Sequence, residues 1–182
     1  MKKTILYGAM LTCCAGVFTA CSDDNDSNPT LVQPTEFTLN TPAYINETVD
    51  LENTESLLLK WSQPVFTTGN APINATYEVQ VAPQNQFTVS LAEAEADEGD
   101  TLVADYAAID RTTQLCTYEL QAADLDKALM QVKKWTETDV PDTYTAYLRI
   151  AAYVLEGGKK LNQVTSNVIE VSVNPYYIEL RD

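Results

Sequence analysis

The chain has 182 residues, a formal net charge of −15 and no histidine. This length is enough for one domain with a single core, and the charge argues against nucleic-acid binding and against electrostatic attachment to anionic lipid headgroups. Because histidine is absent, the chain lacks the commonest general base, the commonest zinc ligand and every Ser/His or Cys/His nucleophile pair, which excludes most hydrolase mechanisms.

The first 20 residues have the layout of a secretory signal peptide. Two lysines precede an apolar run, residues 5–17, which is too short to span a bilayer. Ala20 then precedes Cys21, and a small residue directly before a cysteine is the cleavage pattern of a bacterial lipoprotein signal. We therefore expect Cys21 to become the first mature residue and to carry acyl chains, which anchor by about 0.8 kcal/mol per buried methylene. The alternative is an ordinary secretory signal in which Cys21 is incidental.

An acidic tether follows the predicted lipidation site. Residues 21–33 are polar and carry Asp23, Asp24 and Asp26 directly behind the cysteine. Nothing in this segment buries enough apolar surface to offset the entropy of ordering it. We therefore predict that it is flexible.

The rest of the chain is dominated by strand patterns. Apolar and polar residues alternate in seven segments bounded by turn residues, as in half-buried strands. The predicted strands carry, in order, Phe37 and Leu39; Leu57, Leu59 and Trp61; Tyr77, Val79 and Val81; Leu102 to Asp105; Cys116, Tyr118 and Leu120; Ala146, Leu148, Ile150 and Ala152; and Ile169, Val171 and Val173. The core of the fold is expected to contain Trp61, Tyr77, Val79, Leu148, Ile150, Ile169 and Val171.

Two segments depart from the period of two. Residues 91–100 are rich in Ala, Glu and Asp, which predicts a mobile or partly helical surface insertion. Residues 125–132 place apolar side chains at i, i+3, i+4 and i+7 and predict one short amphipathic helix. We therefore predict an all-β antiparallel sandwich of about seven strands with one short helix over residues 34–175.

Several short motifs resemble known proteins when they are taken in order. Residues 59–64 (LKWSQP), 75–81 (ATYEVQV) and 147–152 (YLRIAA), with Ser166-Asn167 before the last strand, resemble an immunoglobulin/fibronectin-III-like sandwich. Together with the lipoprotein junction and the motifs NPTL and FTLNTP near the start of the domain, they make the chain similar to the amino-terminal domain of SusE/SusF-type outer-membrane lipoproteins of Bacteroidetes.

This resemblance implies a location and partners. Such proteins stand on the cell surface beside a TonB-dependent porin and a SusD-like lipoprotein, in a polysaccharide utilisation system that holds starch or related glycans. Asp23, Asp24 and Asp26 are similar to the signal that sends such lipoproteins to the outer face of the outer membrane. In that family, domains after the amino-terminal one hold the glycan. The resemblance therefore implies that residues 176–182 are the start of a linker to a missing downstream domain, and no glycan-binding residue of the family is carried over to this chain.

Three aromatic residues are candidates for a sugar platform, because sugars stack on exposed rings. Tyr106, Trp135 and Tyr153 are the aromatics least clearly required by the predicted core. The alternative is structural: Trp135 packs the helix end onto the sandwich and Tyr153 covers the rim of the sheet. Trp61 lies on the apolar face of its strand and is predicted to be core.

Two further features have ordinary structural interpretations. The first is an acidic stretch that offers oxygens to calcium: Glu93, Glu95, Asp97, Glu98 and Asp100. It lacks the D-x-D-x-D-G spacing that fixes a loop around the ion, so we predict a solvated loop and no metal or other cofactor.

The second is Cys116, the one cysteine left for the mature domain, which allows no intramolecular disulfide. Its place on an apolar strand face predicts an inert buried thiol.

Three functions stay open at this point. The first is a non-enzymatic surface lipoprotein of a glycan-uptake system, with this domain as spacer and docking module. The second is a structural or adhesive envelope lipoprotein without a glycan role. The third is a small hydrolase with two carboxylates, which needs only Asp and Glu. We favour the first, and we expect the chain by itself to bind starch-like oligosaccharides weakly or not at all, because its non-core aromatics are scattered.

Overall fold

A computed structural model describes residues 30–179 of the chain. Within these residues there are eleven strands, two α-helices and a 3₁₀ turn at Ala43–Asn46. The strands are β1 (Leu31–Val32), β2 (Thr48–Asp50), β3 (Ser56–Lys60), β4 (Phe66–Thr68), β5 (Ala71–Ile73), β6 (Thr76–Ala82), β7 (Ala107–Ala108), β8 (Thr117–Gln121), β9 (Tyr144–Glu156), β10 (Lys159–Thr165) and β11 (Ile169–Asn174). The helices are α1 (Leu91–Glu95) and α2 (Ala122–Lys133).

The strands form one large sheet and two small ones. The large sheet has the order β2-β11-β9-β6-β7, with β10 also paired to β9. The strands β10 and β11 share one edge of β9, because β10 lies opposite residues 151–156 and β11 lies opposite residues 144–148. The small sheets are the pair β3-β8 and the three-stranded β1-β4-β5. The long strand β9 therefore pairs with three strands, β6 on one edge and β10 and β11 on the other.

The core lies between the large sheet and the β3-β8 pair. The ring centroids of Trp61, directly after β3, and Tyr77, in β6, are 5.2 Å apart, so the two sheets meet face to face. All seven residues predicted for the core are buried: Trp61, Tyr77, Val79, Leu148, Ile150, Ile169 and Val171. These observations confirm the predicted all-β sandwich.

The predicted helix is also confirmed as α2. Its buried face includes Leu125, Ala128 and Leu129, and Lys134 ends it in the left-handed conformation. The predicted surface insertion contains the single-turn α1, whose start is fixed by a capping box between Ser90 and Glu93. In the part of the chain that the structure describes, no helix has the length and hydrophobicity needed to cross a membrane.

Two predicted strands are wrong or incomplete. Leu39 forms only an isolated bridge with Trp61, and on its other edge its N–H donates to the Asn167 side chain and not to a strand. Residues 102–105 form no strand, and the N–H of Leu102 donates to the Asp97 carboxylate. The strand that pairs with β6 comes later, at β7.

The sheet departs from the sequence prediction in three further ways. β2 runs parallel to β11, so the sandwich is not wholly antiparallel. β10 was not predicted, because its sequence is polar and its register shifts between Leu161 and Val164. In β6, Glu78 and Gln80 are buried like the apolar residues between them, because other segments cover both faces of this strand.

The ordered domain extends beyond both predicted boundaries. Leu31 and Val32, which the sequence assigned to the tether, pair with β4. At the other end, Tyr176 packs against the core and its N–H donates to the Asp126 carboxylate at 3.2 Å. The segment directly after β11 is therefore tied to the domain.

Candidate functional site

A chain of polar side chains lies on the face of β6 that points away from the main core. Lys160 donates to Glu78 at 2.5 Å, Gln80 donates to the other oxygen of Glu78 at 3.1 Å, and Arg149 donates to Gln80 at 2.7 Å. Glu78 and Gln80 are 6% and 1% exposed. Burying a polar group without a hydrogen-bond partner is costly, and in this network each buried group has a partner. The same hydrogen bonds join β6, β9 and β10.

Aromatic rings cover the two basic ends of this network. The Arg149 guanidinium lies 4.1 Å from the Phe87 ring centroid and 5.7 Å from that of Tyr106. The Lys160 ammonium lies 5.0 Å from the Tyr153 ring, and burial raises the pKa of Tyr153 to about 12. The two contacts of Arg149 hold the segment between β6 and β7 onto the sheet, whereas the contact of Lys160 joins β10 to β9.

A polar cleft of about 520 Å³ opens beside the network. Glu78 and Lys160 reach it from the sheet, while Arg111, Asp124 and Lys127 line it from the far side. Acidic and basic groups are mixed, so the cleft offers donors and acceptors without a strong field of one sign. Both oxygens of Glu78 already accept hydrogen bonds, which leaves this carboxylate poorly placed as a catalytic acid or base.

The three candidate platform aromatics are not brought together. Tyr153 is 2% exposed and lies beneath Lys160. The Trp135 ring meets the Tyr144 ring edge-on, with centroids 4.9 Å apart, and the Tyr106 ring lies 5.7 Å from that of Phe87. Each ring therefore packs against another side chain of the domain. For Trp135 this agrees with the structural alternative, in which its ring packs the end of the helix onto the sandwich.

The acidic stretch organises its own loop. Asp97 accepts hydrogen bonds from the backbone N–H groups of Gly99, Thr101 and Leu102, and these bonds, with that of the Thr101 hydroxyl, lower the pKa of Asp97 to about 2. Glu93 caps α1 through Ser90. Among residues 30–179, no cluster of three or more acidic, Cys or His side chains is placed to hold a metal ion.

The thiol of Cys116, the one cysteine among residues 30–179, is less buried than predicted. Cys116 directly precedes β8 and is half-buried, and its Sγ lies 3.6 Å from the hydroxyl of Tyr77. Burial, with a smaller contribution from the thiol, raises the pKa of Tyr77. Trp61 is core as predicted, 4% exposed, and its Nε1 has no partner within the described part of the chain.

A buried carboxylate on α2 was missed. Asp126 is fully buried, one of its oxygens accepts the N–H of Tyr176, and Oδ2 has no partner among the described residues. Burial raises the pKa of Asp126 to about 6. A signal was present in the sequence, since Asp126 and the buried Met130 are one turn apart and widen the apolar face of the helix.

The predicted lipidation site and export signal, Cys21, Asp23, Asp24 and Asp26, lie outside the described residues. No protein-family model matches the chain, and no solved structure matches it significantly.

Proposed function

We propose that this chain is a non-enzymatic lipoprotein, anchored through Cys21 on the outer face of the outer membrane, within a system that takes up starch-like polysaccharides. The sandwich domain serves as the spacer and docking module that carries glycan-binding domains away from the membrane. A TonB-dependent porin and a SusD-like lipoprotein are its proposed neighbours.

The observation that supports the spacer role is that β1 and the end of β11 lie near opposite ends of β9. The Leu31 carbonyl accepts a hydrogen bond from Asn162, which follows Leu161, the partner of Val154 near the end of β9. Val173, near the end of β11, pairs with Tyr144 at the start of β9. Ten strand steps separate these positions, which corresponds to about 33 Å.

The tether adds to this reach. From Cys21 to Leu31 a chain of this length can span at most about 36 Å. The domain would then hold whatever follows Asn174 tens of ångströms from the lipid anchor. A side-chain hydrogen bond joins the start of β9 to the end of β11, because the hydroxyl of Thr143, directly before β9, donates to the side-chain oxygen of Asn174 at 3.1 Å.

Growth experiments test the proposed function. A strain without this gene should grow more slowly on starch-type polysaccharide and normally on glucose. Normal growth on both would favour the structural or adhesive alternative, and a defect on both would contradict a role in glycan uptake. Gene neighbours separate the same two functions, because adjacent porin, SusD-like and glycosidase genes support the first.

A further inference from the structure

A continuous groove runs between the two helices. The polar cleft of about 520 Å³ and a second cavity of about 980 Å³ share four lining residues, Leu91, Glu95, Lys127 and Gln131. Along α2 the groove extends from Asp124 to Val132, eight helical steps or about 12 Å, and it continues past the end of the helix to Trp135. We call it the interhelix groove.

One end of the interhelix groove is apolar and uncovered. Leu102 and Val103 are consecutive in the chain, line the groove, and are 44% and 80% exposed. Trp135 and Ile178 line the same end. Single exposed apolar residues are ordinary, but two adjacent ones in a concave apolar surface are typical of an interaction site.

In the larger cavity the two walls carry opposite charge. Lys127 on α2 and Lys134, which directly follows α2, line one wall. Glu95 and Asp100 lie on the opposite wall. A segment seated in the groove therefore meets basic groups along one flank and acidic groups along the other.

We propose that the interhelix groove is the docking surface of this domain, and that it receives an amphipathic helix of a partner protein. This proposal rests on the proposed function, because it names the face that the docking module uses. The helix presents an apolar stripe to Leu102 and Val103, an acidic flank to α2 and a basic flank to α1. Reversing a helix exchanges its flanks, so the charges on the walls select one of two directions.

Two other occupants fit less well. A second copy of the chain would bring together two proteins of formal net charge −15, which repel each other. An oligosaccharide cleft needs two or more rings close together, whereas Trp135 is the one aromatic residue that lines the larger cavity in the described part of the chain. An amphipathic helix can place its apolar stripe on the apolar end of the groove and its two charged flanks against the oppositely charged walls.

Synthetic peptides test the docking surface on the mature chain with Cys21→Ala, which is free of lipid. Two 14-residue helical peptides share one leucine stripe, and one has a glutamate flank and a lysine flank while the other has lysine on both. Binding is measured by the fluorescence of Trp135 in a chain that carries Trp61→Phe, which removes the other of the two tryptophans. We expect the mixed peptide to bind at least tenfold more tightly than the all-lysine peptide, and this preference to reverse in Lys127→Glu/Lys134→Glu.

Matched substitutions decide whether the groove is responsible. Val103→Asp should weaken the mixed peptide at least tenfold, whereas Val65→Asp, at a valine that is 60% exposed elsewhere, should leave its affinity unchanged. Equal effects of these substitutions, no binding of either peptide, or no charge preference would overturn the proposal. So would a dimer that Val103→Asp dissolves, or quenching of Trp135 by malto-oligosaccharides. Because Cys21 is absent from these experiments, their failure leaves the anchoring and spacer roles to be judged separately.

Discussion

The buried carboxylate of Asp126 should give the domain a distinct dependence of stability on pH. Burial raises its pKa from the ordinary 3.8 to about 6, so the folded state holds this proton more tightly than the unfolded chain. The contribution to stability is therefore complete below about pH 4 and is lost as pH rises through 6. The shift in pKa corresponds to about 3 kcal/mol of the free energy of unfolding, from pH well below 4 to pH well above 6.

Asp126→Asn isolates this effect, because the amide oxygen can still accept the N–H of Tyr176 while the titration disappears. The free energy of unfolding of the variant minus that of the parent should rise by about 2.5 kcal/mol between pH 4 and pH 8. Comparing two pH values cancels the constant cost of burying the amide. Urea denaturation of the lipid-free chain at pH 4, 5, 6, 7 and 8 measures it, with Asp124→Asn on the same helix as the control. A difference that stays constant within about 0.5 kcal/mol would refute the burial of this carboxylate against Tyr176.

Three further results are expected. Ile150→Ala should destabilise the domain by about 2 to 5 kcal/mol, whereas Glu170→Ala, on the exposed side of β11, should barely change the melting temperature; equal shifts would mean that the faces are misassigned. Asn167→Ala should lower the free energy of unfolding by about 1 to 2 kcal/mol in chemical denaturation, because the Asn167 side chain hydrogen-bonds both the N–H and the carbonyl of Leu39. The control Gln163→Ala on β10 should be near neutral, and an equal loss in the two variants would contradict a stabilising role for the Asn167 side chain. Calorimetry with malto-oligosaccharides should give dissociation constants weaker than roughly 1 mM, or about 4 kcal/mol, and tighter binding would reveal a glycan site.

Alternation along single strands was enough to predict the core. It correctly placed Tyr77 and Val79 in β6 and Leu148 and Ile150 in β9, since these strands are long and packed on the core. It failed for strands of two or three residues, such as β1 and β7, because a period of two is not visible over so short a segment. It also missed β10, whose residues are mostly exposed.

The polar network was hidden from the sequence for a different reason. Glu78 and Gln80 alternate with apolar residues as solvent-facing residues do, and only tertiary structure places Lys160 and Arg149 over them. Asp126 was missed because a charged residue beside an apolar helix face is ordinarily solvated. The interhelix groove likewise depends on how α2 packs near the insertion between β6 and β7, which local pattern does not encode.

Anchoring through Cys21 is the central claim, because the spacer role has no purpose without it. The most direct measurement follows the parent chain and Cys21→Ala through cell fractionation, together with protease treatment of intact cells. We expect the parent in the outer-membrane fraction and accessible to protease, and the variant in a soluble fraction. Unchanged membrane association of Cys21→Ala, or full protection of the parent in intact cells, would contradict the account.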